Sequence, residues 1–425
     1  MADVAHTLID HIGLLWTMVE PGEDLTRPRR GQEAMRSVGA IRDAAIALDA
    51  SGVVLAVGPA RDVRQWADRT TLHLDAAGGF VCPGFVDPHT HLVHGGQRAH
   101  EVPLRLAGAS YLEILEQGGG ILSTMKATAT ATEAALLSQA RTSALRLLKS
   151  GVTTVEAKTG YGMALCVERK QLQVAKELAA TGVQTVIHTA LPAHAVPQER
   201  RHDREAFVAE IIAMLPALHV EGAEFVDVFI EQGVFSVDEG RAILLAGQAC
   251  GMKLKMHADE IVSCGGAELA AQLGAVSADH LLAASDAGLI AMAHAGVVAV
   301  CLPGTSFYLQ KVPARARFMI DEAQLAVAIA SDYNPGSAPS ENFGLTMSLA
   351  LLTLRMTPEE VFVAATRNAA CAVARGDQAG ALAIGRRGDF VVFGVEDPAY
   401  ILSHFGINHV RAVFAGGRCV SGALA

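Results

Sequence analysis

Two histidines separated by a single residue, His89 and His91, form the sharpest chemical pattern in this chain of 425 residues. They follow the apolar stretch CPGFVDP, which is typical of a buried β-strand. Side chains at positions i and i+2 of a strand point to the same side, so both imidazoles are expected to face one point. Since imidazole is the commonest metal ligand in proteins, the pair predicts part of a metal site.

Two further candidate ligands lie much later in the chain, His257 in KMHADE and Asp332 in ASDYNPG. Taken alone, each also fits a plainer role: His257 as a hydrogen-bonded interior histidine, and Asp332 as the acid of a turn before Asn334. Three imidazoles and one carboxylate, however, can hold a catalytic metal ion with a position left open for water. Ligands of this kind accept both zinc and iron. We therefore predict one metal site built from all four residues.

Such a site needs a scaffold that brings distant residues together, and residues 80–375 have the pattern of one. Short apolar stretches rich in β-branched residues alternate there with helical stretches, which predicts βαβ units and a parallel sheet. The eight candidate strands are residues 79–86, 153–157, 184–189, 225–230, 253–256, 275–278, 297–302 and 326–330. A closed TIM-type barrel has eight strands with intervening helices. We therefore predict an α/β fold with a TIM-type (β/α)8 barrel over residues 79–371.

Polar or ionisable residues follow every candidate strand. In strand order they are Asp87, His89 and His91; Lys158 and Tyr161; His194; Glu231; His257, Asp259 and Glu260; Asp279 and His280; Thr305; and Asp332 and Asn334. The carboxyl ends of barrel strands meet at one mouth, where the catalytic groups of such enzymes sit. We therefore expect this set to surround one pocket.

Both ends of the chain have β patterns separated by Gly, Asp and Ser turn signals. Apolar stretches occur at residues 7–15, 39–48 and 52–57, and again at 388–393 and 410–414. We predict that residues 1–78 and 372–425 together build one small β-sandwich domain beside the barrel.

The composition excludes several classes of partner. Lys and Arg number 34 against 44 Asp and Glu, a formal net charge of −10, and no basic run occurs. Nucleic acid and anionic membrane surfaces are therefore not expected as partners. No apolar run reaches the roughly 18 residues that span a bilayer. The seven Cys residues are scattered without a CxxC motif, which favours reduced thiols and a cytoplasmic protein.

Several segments, in order, resemble the imidazolonepropionase family of the amidohydrolase superfamily. They are PGFVDPHTHLVHGG, GVTTVEAKTGYG, AHAVP, HADE, SADHLL, LPGTSFYL and SDYNPGSAPSEN. The beginning of the first segment marks only the superfamily, whereas TGYG, AHAVP and SDYNPGS are far more specific. The resemblance covers nearly the whole chain, including the β-rich ends.

The resemblance implies one Zn²⁺ or Fe³⁺ per subunit on the four candidate ligands, in an enzyme that is commonly a homodimer. It implies hydrolysis of the cyclic amide of the small molecule 4-imidazolone-5-propanoate to N-formimidoyl-L-glutamate, in histidine degradation. The implied substrate contacts are Arg98, Tyr161, His194, Glu260, Asn334, Gly336 and Ser337. The sequence departs from the family pattern at His94, His188, Pro192 and Gln232. His94 and His188 are expected to alter pocket polarity or to add an extra ligand.

One metal ion is expected rather than two. Many relatives with two metal ions carry a modified lysine after the fourth strand, whereas here that strand ends in Glu231. The suitable lysine of this chain, Lys158, follows the second strand instead. We interpret Lys158 as the structural partner of a neighbouring acid.

Three residues are candidates for catalysis of the implied reaction. Asp332 is expected to take a proton from the attacking water, and Glu260 to share the proton relay or to bind a ring N–H. His280 is expected to stabilise the developing oxyanion as a donor. The sequence leaves open which of the three is the dominant proton carrier.

The propionate tail of the implied substrate calls for a cation. Arg98 lies in the loop after the first strand, seven residues past His91. A guanidinium can hold a carboxylate through two parallel hydrogen bonds, so we expect Arg98 to bind the propionate. Arg105 is a second candidate for this role.

Two other functions compete with this interpretation. A deaminase-type amidohydrolase acting on a nucleobase-like ring would use the same metal ligands, but a neutral base needs no carboxylate clamp such as Arg98. A non-catalytic scaffold with an amidohydrolase-like fold would usually have lost ligands, and none is missing here.

Overall fold

The computed structural model describes residues 4–108, 113 and 119–424. The strands are β1 (Thr7–Trp16), β2 (Ala40–Leu48), β3 (Val54–Pro59), β4 (Leu72–Asp75), β5 (Phe80–Pro83), β6 (Phe85–Asp87), β7 (Val152–Lys158), β8 (Thr185–Ala193), β9 (Phe225–Ile230), β10 (Lys253–Ala258), β11 (Ser277–His280), β12 (Val298–Cys301), β13 (Val327–Ile329), β14 (Phe390–Phe393), β15 (Val410–Ala415) and β16 (Arg418–Gly422).

The described helices are α1 (Gly31–Met35), α2 (Ala60–Val63), α3 (Glu101–Leu106), α4 (Ile121–Thr130), α5 (Glu133–Lys149), α6 (Leu165–Ala179), α7 (Arg204–Val220), α8 (Val237–Ala249), α9 (Gly266–Leu273), α10 (Asp286–Ala295), α11 (Pro303–Tyr308), α12 (Ala316–Asp321), α13 (Phe343–Thr353), α14 (Pro358–Ala365), α15 (Arg367–Ala372) and α16 (Pro398–Ser403). Among the described residues, no helix is long and apolar enough to cross a membrane.

Strands β6 to β13 form the predicted barrel. They lie side by side in chain order, and every neighbouring pair is parallel. The first and last strands meet just beyond their carboxyl ends, where the Asp332 N–H donates to the His89 carbonyl at 3.1 Å and the His91 N–H donates to the Tyr333 carbonyl at 2.9 Å. The α/β barrel fold is therefore confirmed, and its closing seam runs through three of the predicted metal ligands.

Helices cover the outer face of the barrel with one apolar side each, as α5 illustrates. The Thr132 side chain caps α5 by accepting a hydrogen bond from the Ala135 N–H, which satisfies one of the free donors at a helix start. Leu136, Ala140 and Leu147 are buried along one face of the helix, at the spacing expected for an amphipathic helix on a sheet. The barrel strands pack against helices on the outside and against one another's side chains on the inside. They are therefore buried throughout, as β7 is.

The first predicted barrel strand is wrong as a single element. Residues 79–86 are divided between two sheets: β5 belongs to the sheet of the chain ends, and β6 begins the barrel. The chain crosses between the sheets at Gly84, where an added Cβ would lie 2.3 Å from Thr153 Oγ1. Glycine is therefore required at this close approach, and the apolar pattern alone does not reveal the crossing.

The two chain ends build one eight-stranded sheet, in the order β16-β15-β14-β5-β1-β2-β3, with β4 beside β1. Its core joins both ends, since Ile12 and Leu48 pack in one cluster with Phe390 and Phe414. The two phenylalanine rings are stacked with centroids 4.4 Å apart. A small β domain assembled from both ends is thus confirmed, although β4 and β16 were not predicted. Domain boundaries at 78/79 and 371/372 remain predictions.

Candidate active site

The four predicted metal ligands lie together at the mouth of the barrel. His89 and His91 follow β6, His257 is near the end of β10, and Asp332 follows β13. The Asp332 Oδ1 atom lies 3.4 Å from His89 Nε2 and 3.6 Å from His91 Nε2. The rings of His89 and His257 have centroids 4.5 Å apart. All four side chains are at most 3% exposed, so the structure unites residues that are up to 243 positions apart, from 89 to 332.

Three ring nitrogens of this cluster are buried without a hydrogen-bond partner: His91 Nδ1, and the Nε2 atoms of His89 and His257. In the rings of His89 and His257 the opposite nitrogen is held by an acid: His89 Nδ1 lies 2.6 Å from Asp279 Oδ2, and His257 Nδ1 lies 3.0 Å from Asp227 Oδ1. Carboxylates commonly orient metal-binding histidines through the nitrogen that does not bind the metal. A buried polar atom without a partner is costly, so the Nε2 atoms of His89 and His257 fit a metal ion.

The carboxyl group of Asp227 stays ionised beneath the site. Burial alone would raise its pKa, but the neighbouring His257 ring and the Lys158 ammonium hold the pKa of Asp227 well below its usual value. An ionised Asp227 accepts the N–H of His257 Nδ1, so that a neutral His257 ring presents the lone pair of Nε2 to the site.

Two further imidazoles complete a ring of histidines around the cluster. His194 stacks on His91 with centroids 4.7 Å apart, and its Nδ1 lies 3.1 Å from the Gly160 carbonyl. His280 lies beside His257, with centroids 5.2 Å apart. Burial lowers the pKa of His194 to about 3 and that of His280 well below its usual range. Both rings are therefore neutral at physiological pH.

Potential ligand atoms fall into overlapping groups, each within 4.8 Å. The groups are His89, His91 and Asp332; His89, His257 and His280; His91, His194 and His257; and His89, Glu156 and Asp279. The first three share the predicted ligands and point to one common centre. The fourth lies beneath it, and its acids are engaged by lysines.

Two carboxyl groups at the site have pKa values near neutrality. Burial, reinforced by the charge of Asp332, raises the pKa of Glu260 to about 7. Burial raises the pKa of Asp332 to about 6, although the Thr305 hydroxyl donates to its Oδ2 at 2.6 Å. Glu260 also lies near His280, with Oε2 to Nδ1 at 3.6 Å. Such carboxyl groups can both accept and return a proton close to pH 7.

The backbone is left-handed at three strand ends that face the site. The φ angles are +51° at Asp259, +75° at His280 and +53° at Asp332. Aspartate tolerates this region, but for histidine it is uncommon, and such conformations cluster at functional sites. The side chains of His280 and Asp332 are both buried in the site.

Four of the implied substrate contacts form a second group at the rim. Arg98 lies against Gly336, where an added Cβ would come within 1.9 Å of Arg98 Nη1. The Asn334 side chain accepts the N–H groups of Gly336 and Ser337, each at 2.8 Å, and so holds this loop. Arg98 is already paired, because its Nε and Nη2 donate to Glu101 at 3.0 and 2.9 Å.

The remaining residues that the sequence singled out lie at different depths. Tyr161 is buried beside His194, with ring centroids 5.5 Å apart. His94 lines a cavity of about 460 Å³ next to Arg98. Arg105 lies on the surface side of this region and donates to the Tyr308 hydroxyl at 3.2 Å.

His188 does not contribute to the site, contrary to expectation. It is on β8 next to Ile187, whose side chain packs in the barrel interior. Successive strand residues point to opposite faces, so the His188 ring lies outside the barrel. The charges that act on it belong to Glu224, Lys176 and Arg375.

Sequence reasoning missed the acids and the lysine beneath the metal ligands: Glu156, Asp227 and Lys255. Glu156 is on β7, Asp227 on β9 and Lys255 on β10, and each side chain points into the barrel. A signal for them exists, because buried parallel strands are normally apolar throughout. A charged residue inside FVDVFI or KLKMHA breaks that pattern and marks an interior polar position.

Comparison with known proteins gives a family and close relatives. The model described as the amidohydrolase family matches residues 80–420. An imidazolonepropionase from Bacillus cytotoxicus is 47% identical over 412 residues, which cover 96% of this chain and 95% of the relative. An imidazolonepropionase from Fusobacterium nucleatum is 48% identical over 368 residues, which cover 86% of this chain and 89% of the relative.

Solved structures share the fold at much lower identity. An adenosine deaminase from Xanthomonas campestris with bound zinc matches with a TM-score of 0.72 at 17% identity, covering 100% of this chain and 95% of that one. Guanine deaminase from E. coli matches with a TM-score of 0.69 at 14% identity, covering 98% and 99%. At this distance the likeness shows the fold alone.

Proposed function

Since the chain belongs to the amidohydrolase family, we propose that it hydrolyses the cyclic amide of 4-imidazolone-5-propanoate to N-formimidoyl-L-glutamate, in histidine degradation. It is a hydrolase, like the imidazolonepropionases that it matches along nearly its whole length. The observation that carries the proposal is the convergence of three histidines and one aspartate at the mouth of a barrel of this family.

The ligand set fits one metal ion, which we propose to be Zn²⁺ or Fe³⁺. His89, His91, His257 and Asp332 would hold it, because the buried Nε2 atoms of His89 and His257 lack hydrogen-bond partners. When bound, such an ion lowers the pKa of water and polarises a carbonyl oxygen. The protein must then bind the ring, orient it and move the protons.

Asp332 and Glu260 are the proposed proton carriers. Asp332 would take a proton from the attacking water and return it to the ring nitrogen as the C–N bond breaks. In the metal-free site burial raises the pKa of Asp332 to about 6, so its carboxylate accepts a proton more readily than an exposed aspartate does. Glu260, with a pKa of about 7, would bind the ring N–H or share the relay.

His280 is proposed to stabilise the oxyanion that develops on the amide carbonyl. Its ring is neutral because burial holds its pKa well below the usual range, and a neutral imidazole can donate one N–H. Its ring already lies beside the rings of His257 and His89, with centroids 5.2 and 5.5 Å away. A donor held in advance at the place where charge develops is the main source of such stabilisation.

Arg98 is proposed to bind the propionate tail. It lies at the rim beside the loop of Asn334, Gly336 and Ser337, while the ring-binding groups Tyr161 and His194 lie deeper. Its bidentate contact with Glu101 fixes the plane of the guanidinium. Binding of the propionate at the rim would place the substrate ring over the metal ligands, while Arg98 itself makes no contact with the reacting atoms.

We also propose a cellular location, an oligomeric state and a class of partner, each on less evidence than the reaction. All seven cysteines are free thiols, which is in keeping with a reducing, cytoplasmic location. A homodimer, with no nucleic acid or membrane partner, stays a prediction from the sequence.

A direct assay tests the proposed function against its alternatives. Purified protein should consume 4-imidazolone-5-propanoate, followed by its ultraviolet absorbance, and should release no ammonia from cytosine. Ammonia release without imidazolone consumption would support the deaminase alternative, which the close relatives do not favour. Inactivity toward both substrates with metal bound would contradict the proposal.

A further inference from the structure

Beneath the metal ligands, the barrel interior contains five ionisable side chains in mutual contact. Two lysines, Lys158 and Lys255, face three acids, Glu156, Asp227 and Asp279. All five side chains are fully buried. Buried charges are costly unless each is paired and hydrogen-bonded, so this cluster needs an explanation beyond stability.

We propose that Lys158 is a positioning residue that fixes the orientation of two metal-binding histidines through the acids that hold them. Its Nζ lies 2.6 Å from Asp227 Oδ2 and 3.6 Å from Asp279 Oδ2. Asp227 holds the Nδ1 atom of His257, and Asp279 holds that of His89. The inference rests on the proposed metal-binding role of His89 and His257.

The geometry at Asp227 explains how a lysine can act on a histidine that it does not touch. One oxygen of Asp227 contacts Lys158, and the other accepts both the ring Nδ1 and the backbone N–H of His257, at 3.0 and 3.2 Å. With both oxygens occupied, the carboxylate cannot rotate. The His257 ring then keeps one tautomer, with Nε2 toward the site.

Lys158, rather than Lys255, bridges the two histidine-holding acids. Lys255 donates to the Pro88 carbonyl at 2.8 Å, and it lies 3.3 Å from Glu156 Oε2 and 3.8 Å from Asp279 Oδ2. Glu156 in turn lies 3.1 Å from Lys158. Lys255 and Glu156 therefore complete the charge pairing, whereas the contact to Asp227 belongs to Lys158.

Metal affinity tests this role without relying on catalysis. The full chain is freed of metal with a chelator, and Co²⁺ is titrated in against a competing chelator while its visible absorption is recorded. Loss of a group that orients a metal-binding histidine typically weakens metal binding about 10- to 100-fold, and we expect this for Lys158→Met, with a changed Co²⁺ spectrum. Affinity and spectrum equal to wild type would overturn the inference.

A variant that destabilises the protein far from the site separates positioning from general stability. Phe414→Leu disrupts the ring stack of the terminal sheet and should lower the melting temperature of the metal-free protein while leaving Co²⁺ affinity unchanged. If Phe414→Leu weakens Co²⁺ binding as much as Lys158→Met does, the effect is structural and the inference fails.

A double variant tests the path through Asp227 and covers the case in which Lys158→Met does not fold. The pair Lys158→Met/Asp227→Asn removes one positive and one negative charge. In the Asp227→Asn background His257 is already freed, and Lys158 can act only through its longer, 3.6 Å contact with Asp279. Adding Lys158→Met should therefore weaken Co²⁺ binding further by less than about threefold, well below the usual loss. A full additional tenfold loss would contradict action through Asp227.

The outcomes for this inference and for the metal site differ. If wild type binds no Co²⁺, the proposed ligand set itself is wrong. If wild type binds Co²⁺ and the affinity of Lys158→Met is unchanged, the metal site stands and only the role of Lys158 is refuted.

Discussion

His89 and Asp332 face each other across the seam where the barrel closes. The Asp332 N–H donates to the His89 carbonyl at 3.1 Å, and the Asp332 Oδ1 atom lies 3.4 Å from His89 Nε2. The same pair therefore joins the first strand to the last and supplies two of the four proposed metal ligands. The contacts that close the barrel therefore also bring these two ligands together.

Arg98→Met should weaken the use of substrate without removing the metal. A charge-assisted hydrogen bond contributes roughly 1.5–3 kcal/mol, so kcat/KM should fall about 10- to 150-fold. An analogue with the propionate replaced by a neutral amide should be a poor substrate for wild type. Arg98→Met should discriminate far less between the two.

Arg105→Met is the matched control for the Arg98 variant. Arg105 lies in the same region but contacts Tyr308, so its replacement should leave both kcat/KM and the discrimination near wild type. If Arg105→Met loses the preference for the carboxylate and Arg98→Met keeps it, the clamp is Arg105.

Gly336→Ala should mimic the loss of Arg98. An added Cβ at Gly336 would lie 1.9 Å from Arg98 Nη1, so the guanidinium must move. We expect kcat/KM to fall about 10-fold or more, mostly through KM. Gly58→Ala, where the nearest atom to the new Cβ is 4.0 Å away, should have no effect. Normal kinetics for Gly336→Ala would show that the position of Arg98 does not matter.

Glu260→Gln should lower activity and, in metal-free protein, raise stability at alkaline pH. A general acid–base group contributes about 100-fold or more to kcat. The folded-state pKa of Glu260 is raised to about 7 from 4.5, so the folded state binds more protons between these values. Wild-type stability therefore falls as the pH rises through this window, whereas Glu260→Gln avoids this cost.

The stability gap between Glu260→Gln and wild type is measured by urea unfolding of chelator-treated protein. It should be small at pH 4.5 and grow to about 3 kcal/mol at pH 8. A gap that does not change between these pH values would contradict the raised pKa of Glu260.

The sequence was enough to predict the barrel and the residues that converge on it. Polar residues after apolar strands mark the mouth of a barrel, and His89, His257 and Asp332 were found in this way. The sequence did not predict that the chain passes from one sheet to the other at Gly84. The apolar pattern of residues 79–86 is the same for one strand in one sheet as for two short strands in two sheets.

The supporting acids were harder to predict than the ligands. Asp227 lies inside β9, where its chemistry depends on His257 and Lys158 from neighbouring strands. Its role becomes visible only when the strand register is known. The pairing of Arg98 with Glu101 was likewise not foreseen, although the i, i+3 spacing suits such a pair.

The central claim is that one metal ion on His89, His91, His257 and Asp332 makes this chain a hydrolase. Its most direct test is to titrate metal-free protein with Zn²⁺ or Fe³⁺ and to record hydrolysis of 4-imidazolone-5-propanoate after each addition. Activity should rise linearly and stop at one equivalent per chain, and His257→Ala should bind little metal and stay inactive while folded. Activity that needs two equivalents, or that His257→Ala retains, would contradict the claim.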